Sequence, residues 1–129
     1  LSNLLNALGH GVPLELLAPA ALTETTNGTG VDVSLYEGRA AAIIHSAAGT
    51  GTTPTMNVKL QTCSTVDGTY ADISGATFTE IDDTAGGAIE LISFDVSAAE
   101  AYVRAVATIA GTTPSFTCSC AFVGVLKTG

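Results

Sequence analysis

Cys118 and Cys120, a C-x-C pair two positions apart, have the spacing in this chain that most suggests chemistry. Thiolates at that interval could hold a soft metal or cycle between thiol and disulfide. A structural zinc takes four ligands, and the other candidates, Cys63, His10 and His45, stand at no diagnostic spacing. Residues two apart on a strand share a face, so the pair reads as two small apolar side chains in a core, where free cysteine is commonly found. An odd total of three cysteines argues against a disulfide framework and fits assembly in a reducing cytosol. His45, in an apolar run, reads as an edge or hydrogen-bonded histidine rather than a base. His10, between Gly9 and Gly11, could titrate near neutral pH at an interface.

The remaining chemical signals resolve the same way. No G-x-S-x-G elbow surrounds any serine. Glu80, Asp82 and Asp83 with Thr84 form the densest acidic group, but they lack the alternating ligands of a calcium loop and read as a solvated turn. The glycines of AAGTGTTP precede a strand and bring no lysine, so they do not cradle phosphate. The expectation is a protein that is not an enzyme, with no catalytic, cofactor-binding or metal-binding residues. Arg39 and Arg104 stand apart because basic residues number only four. Each either pairs with a carboxylate at a subunit contact, where bidentate geometry gives specificity, or extends from a sheet edge into solvent.

Both arginines open a repeated sentence. RAAAIIHSAAGTGTTPTMNVKL at 39–60 and RAVATIAGTTPSFTCSCAF at 104–122 share GTTPT (51–55) and GTTPS (111–115) without a gap. Beyond the first turn cluster Met56, Val58 and Leu60 alternate with Thr55, Asn57 and Lys59, so the unit predicts a half-buried β-hairpin, made twice.

The chain is one domain long at 129 residues, with only 12% charged. A net charge of −8 opposes nucleic-acid binding, which rests on lysine and arginine. Low charge density with a positive mean hydropathy implies that surface is covered by oligomerisation. No apolar run reaches the ~18 residues of a spanning helix, and the leucine-rich start lacks a basic region, so neither a membrane span nor a signal peptide is expected.

Residues 1–30 read as an N-terminal arm with short helical turns, one over Leu4 to Leu8 and one over Leu14 to Leu17 behind Pro13. Its leucines (Leu4, Leu5, Leu8, Leu14, Leu16, Leu17 and Leu22) are expected at an interface or against the body. Residues 31–129 read as the β-domain. Val31 to Leu35 alternates, Val66-Asp67-Gly68 is a turn, and Tyr70 to Ile73 and Ala76 to Ile81 are two short strands. Ile89 to Val96 reads as the clearest buried strand outside the repeat, with Ile92, Phe94 and Val96 on one face, and Ser97-x-x-Glu100 has the capping-box pattern. In the last strand Phe116, Cys118, Cys120 and Phe122 share a face. Seven to nine such strands predict an all-β antiparallel sandwich or jelly-roll-like barrel with an extended arm.

Y-E-G-R-A at 36–40, G-T-T-P-T-x-x-V-K-L-Q at 51–61, D-G-T-Y-x-D-I at 67–73, G-A-T-F-T at 75–79 and Y-V-R-A at 102–105, with the second G-T-T-P-S, complete a pattern. It resembles small virion structural proteins of tailed bacteriophages and prophages, and among them those that decorate or cement the capsid. The resemblance covers about residues 30–125. It implies a β-sandwich or jelly roll without catalysis, set as a homotrimer on the outer capsid surface against the major capsid protein. The expected location is the virion, after assembly in the host cytoplasm, without nucleic-acid or membrane partners. The alternatives are a tail or head–tail junction component and a carbohydrate-binding adsorption module. The last needs exposed aromatics, and the chain has no Trp and only three Tyr.

Overall fold

The computed structural model describes residues 11–84 and 88–127; Leu4, Leu5, Leu8 and His10 lie outside them. The described strands are β1 (Gly11–Leu22), β2 (Thr26–Asn27), β3 (Val31–Asp32), β4 (Tyr36–Ser46), β5 (Thr50–Cys63), β6 (Ala71–Thr77), β7 (Ala88–Asp95) and β8 (Tyr102–Leu126). A single 3₁₀ turn, Val96–Ala98, separates β7 from β8.

Strand β8 organises the molecule. Its first half pairs with β5, from Cys63 opposite Tyr102 to Thr50 opposite Ser115. Its second half pairs with β4, from Ser46 opposite Cys118 to Tyr36 opposite Leu126. β4 and β5 therefore follow one another along the whole of β8, all antiparallel. The first layer is ordered β1-β8-β4-β7, and in the second β5 lies between β8 and β6 while β2 and β3 join the other side of β8. The result is an all-β antiparallel sheet folded on itself and nearly closed into a barrel.

The repeated GTTP segments are the corners of that fold, not the tips of hairpins. β4 and β5 do not pair with each other; both pair with β8, one after the other. The 104–122 segment is one continuous, bent strand. Each GTTP carries the same backbone: φ is 107° at Gly51 and 119° at Gly111, and 48° at both Thr53 and Thr113. Such a conformation inserts a bulge, so the chain crosses from one layer to the other while keeping its direction. A β-branched residue with positive φ is strained, and at each site the threonine hydroxyl donates to the preceding carbonyl at 2.8 Å. The two corners also face one another, with Thr52 opposite Thr112.

Periodicity held where it was regular. Met56, Val58 and Leu60 are buried, as are Phe116, Cys118, Cys120 and Phe122. The two sets meet between the layers, where Cys118 Sγ lies 4.0 Å from Met56 Sδ. Tyr36 packs edge-on against Phe122 with ring centroids 5.0 Å apart.

Several local expectations are corrected. Leu14 to Leu17 is strand, not a helical turn: β8 offers an open edge, and β1 takes it from Leu14 opposite Phe122 to Leu22 opposite Phe116. Register shifts between Glu15 and Leu17 and between Leu17 and Ala20 let Leu16 and Leu17 both enter the core. The strands expected at 70–73 and 76–81 are one strand, β6, bent at Gly75, followed by a lone bridge between Ile81 and Met56. The turn before β8 is capped by Asp95, which accepts from the Ser97 amide, rather than by Ser97. The turn at 65–68 forms as expected, but Gly68 is needed for room: a Cβ there would lie 2.5 Å from Cys63 Sγ.

A Cβ on Gly51 would meet Thr113 O at 2.5 Å, and one on Gly111 would meet Pro54 Cα at 2.9 Å. Gly51→Ala and Gly111→Ala should each lower unfolding free energy by about 3 kcal/mol, since clash adds to backbone strain. Gly38→Ala and Gly75→Ala, with positive φ but nothing within 4 Å, should cost only about 1 kcal/mol. Equal effects in urea titrations would contradict the corner contact. Deleting residues 1–22 removes a paired strand and two core leucines, and should abolish cooperative thermal unfolding.

Candidate interaction surface

The outward faces of the two layers differ in kind. On the second layer a band of polar side chains is engaged with one another. Asn57 Nδ2 donates to Glu80 Oε2 at 2.9 Å, and Lys59 Nζ lies 3.0 Å from Asp72 Oδ1 in an ion pair. Gln61 Nε2 donates to Asp72 Oδ1, and Gln61 Oε1 accepts from Arg104 Nε and Nη2 at 3.0 and 2.8 Å. The Arg104 guanidinium lies over the Tyr70 ring, 4.2 Å from its centroid. Gln61 first, then Lys59, hold the Asp72 carboxyl below its ordinary range.

The first layer presents a different surface. Reading the register across it, Pro13, Val123, Ala41 and Ser93 form one row; Glu15, Ala121, Ile43 and Leu91 the next; Ser119, His45 and Ile89 a third. Ile89 is 73% exposed and Leu91 59%, large values for aliphatic side chains on one strand. Charge is confined to the margins, with Glu15 on β1 and Arg39 opposite Asp95 at one end. An apolar centre with a polar rim is the anatomy of a protein contact. The adjoining edge carries a shallow recess of about 330 Å³ between β1 and β8, lined by Pro13, Glu15, Pro19 and Ala121 among others.

The structure places the singled-out residues apart. Arg39 is exposed and donates from Nη2 to Ser93 Oγ at 3.0 Å, while Arg104 sits on the other layer. Neither forms an ion pair among the described residues. Of the leucines within those residues, Leu16 and Leu17 are buried and Leu14 and Leu22 half-buried against their own sheet. The buried strand expected at 89–96 is corrected: β7 ends at Asp95, and Ile89 and Leu91 are exposed in an outward row with Ile43 because β7 is an end strand of its layer. His45 lies on this face, exposed, between Ile89 and Ser119.

The cysteines are core residues. Burial pushes the Cys118 thiol up, and pushes Cys120 up to about 12. Cys63, also buried, lies under the 65–68 turn, away from the other two. Asp82 accepts from both the hydroxyl and the amide of Thr84, which lowers its pKa and closes the expected acidic turn. A larger recess, about 440 Å³, opens at the end of the molecule between Tyr36, Asp95, Glu100 and Lys127. Among the described residues no three metal-ligating side chains converge. Of the tyrosines, Tyr36 is buried and the Tyr70 face is taken by Arg104.

No protein-family model matches the chain, and no curated protein is similar to it in sequence. Solved structures share its fold to different degrees. A chain of infectious bursal disease virus, Gx strain, is 11% identical with a TM-score of 0.51; the match covers 90% of this chain and 32% of the viral one. The SPBc2 prophage-derived protein YomS is 12% identical over 88% of this chain and 93% of its own, with a TM-score of 0.49. A structure described as "CBM4 structure and function" is 15% identical over 91% and 68%, with a TM-score of 0.43. The viral likeness is one of fold alone, and the other two are too loose to carry an argument.

Two measurements check this description. Cys118 and Cys120 should resist a thiol reagent in the native protein at pH 8 and react fully in denaturant; fast native labelling of either would contradict the core placement. For Asp72 the folded pKa is depressed, so its contribution to stability is present above the ordinary value near ~4 and lost as pH falls through the folded value. Asp72→Asn should therefore lower Tm at pH 7, with the difference from wild type vanishing once the pH has fallen through the folded value of Asp72.

Proposed function

We propose that this chain is a non-enzymatic structural component of a phage particle that decorates the outside of the head and stabilises the shell against the major capsid protein. The observation that carries the reading is the contrast between its two outward faces: one closed by its own hydrogen bonds, the other apolar and open. A decoration protein binds a repeating lattice through many weak contacts, so avidity does the work of a tight pocket. A broad apolar face with a charged rim suits that task better than it suits catalysis. The GTTP-centred sequence pattern, with its resemblance to capsid-decorating proteins, supplies the particle, and the fold likeness to a viral chain is compatible with it. The rival adsorption module loses ground because two of its three tyrosines are already engaged within the chain.

The test is binding of purified chain to undecorated heads of the phage that encodes it. Saturable binding with a fixed number of copies per head and a raised head melting temperature is the expected result. Ile43→Glu and Ala121→Glu, which put charge into the centre of the face, should weaken binding at least tenfold while leaving the far-ultraviolet spectrum unchanged. Binding to tails alone, or undiminished binding of both variants, would overturn the reading.

A further inference from the structure

Histidine is the side chain that ordinarily changes charge between about pH 5 and pH 8. The chain has two, and one of them, His45, stands on the apolar face of the first layer. It is directly opposite Ile89 of β7 on one side and Ser119 of β8 on the other. Its cross-strand neighbour is therefore the strongly exposed Ile89, and the next row along the face carries Ala121, Ile43 and Leu91. His45 also lines a recess of about 420 Å³ between β1, β4 and β8, with Pro19, Ala47, Thr117 and Ser119 among the other walls.

No carboxylate comes within ion-pair distance of His45 among the described residues. From β7, Glu90 is turned inward to the amide and hydroxyl of Thr79, at 2.8 and 3.1 Å, and Asp95 stands at the far end of the strand. From β8 the outward neighbours are Thr117, Ser119 and Ala121, while Cys118 and Cys120 are buried. From β1 the recess receives Pro19, and the acid of that strand, Glu15, lies in the next row with β8 between. Along β4 itself Arg39 is at the opposite end. The loop after β4 is held through the Gly49 amide by the main chain of Asp82, whose carboxylate is engaged by Thr84; Asp83 beside it is exposed.

An apolar contact forms only as water leaves the face. A neutral imidazole tolerates that, whereas an imidazolium gives up its hydration and finds no counter-charge on this chain. The geometry points to His45 as a proton switch on this face: the neutral ring permits docking, and protonation beside Ile89 releases the chain. The switch rests on the docking role proposed above for the same face, and adds the condition under which that role is exercised. Docking is linked to the loss of a proton from His45, so attachment is strong in mildly alkaline solution and weakens as pH falls through the histidine range. A partner carboxylate set against His45 would reverse the sign, and acid would then tighten the contact.

Binding of the full chain to undecorated heads should weaken at least fivefold from about pH 8 to pH 5. His45→Gln should bind at both with the wild-type affinity of the higher pH, and His45→Lys, charged throughout, should bind weakly at both, each with unchanged circular dichroism. His10→Gln should keep the wild-type dependence. Retention on a phenyl matrix reads the same face without a particle. Wild type and His45→Gln should elute together at about pH 8, and wild type should elute earlier at about pH 5; the comparison cancels the carboxylates common to both. Equal head binding by wild type and His45→Gln in acid, tighter wild-type binding in acid, a dependence that disappears in His10→Gln, or phenyl elution indifferent to His45→Gln would each overturn the inference. Phenyl retention that follows His45, with no head binding at any pH, would uphold the switch and fault the particle reading alone.

Discussion

The contact on which the rest of the structure depends is the reciprocal approach of two glycine corners. Gly51 lies against the backbone of Thr112 and Thr113, and Gly111 against that of Thr52, Thr53 and Pro54. Backbones can come that close only where no Cβ intervenes. Because the two corners pair with each other, β5 and β8 bend together and remain hydrogen-bonded on both sides of the bend. A single bulge would splay the ribbon; a matched pair turns it as a unit. The two halves of β8 thereby serve two layers, and the core of Phe116, Phe122, Met56 and Leu60 closes between them.

Much of this was legible in the sequence, and what failed did so for identifiable physical reasons. Regular alternation marked the inward faces of β5 and β8 correctly because one-sided burial imposes a period of two. The GTTP repeat was recognised, but glycine and proline together signal a reversal as readily as a bulge, and pairing partners are not a local property. Leu14 to Leu17 satisfied a helical spacing over too few residues to outweigh an open strand edge on β8. Arginine is rare in this chain, but rarity does not say what a residue touches. Arg104 found Gln61 and Tyr70, a polar–aromatic pairing that no spacing along the chain announces.

The open surface was the least legible part. Ile89 and Leu91 alternate with Ile92 and Phe94, and an apolar run of that kind ordinarily means a strand buried on both faces. Only the sheet order, with β7 at an end and, among the described residues, nothing packed on its outer side, converts that pattern into exposed surface. Two large exposed aliphatic side chains, Ile89 and Leu91, then lie on this face, with Glu15, Arg39 and Asp95 at its margins. Composition raised the expectation of covered surface; topology shows which apolar face is exposed. We propose adhesion through that face, by a slab whose opposite side carries a band of its own side-chain hydrogen bonds, as the unifying property.

A cryo-electron microscopy map of the intact particle tests this most directly. The account predicts density for the folded sheet on the outside of the head, with the Ile43–Leu91 face turned into protein and the Lys59–Asp72 ladder turned to solvent. A map with those two faces exchanged, or with no such density on the head, would contradict it.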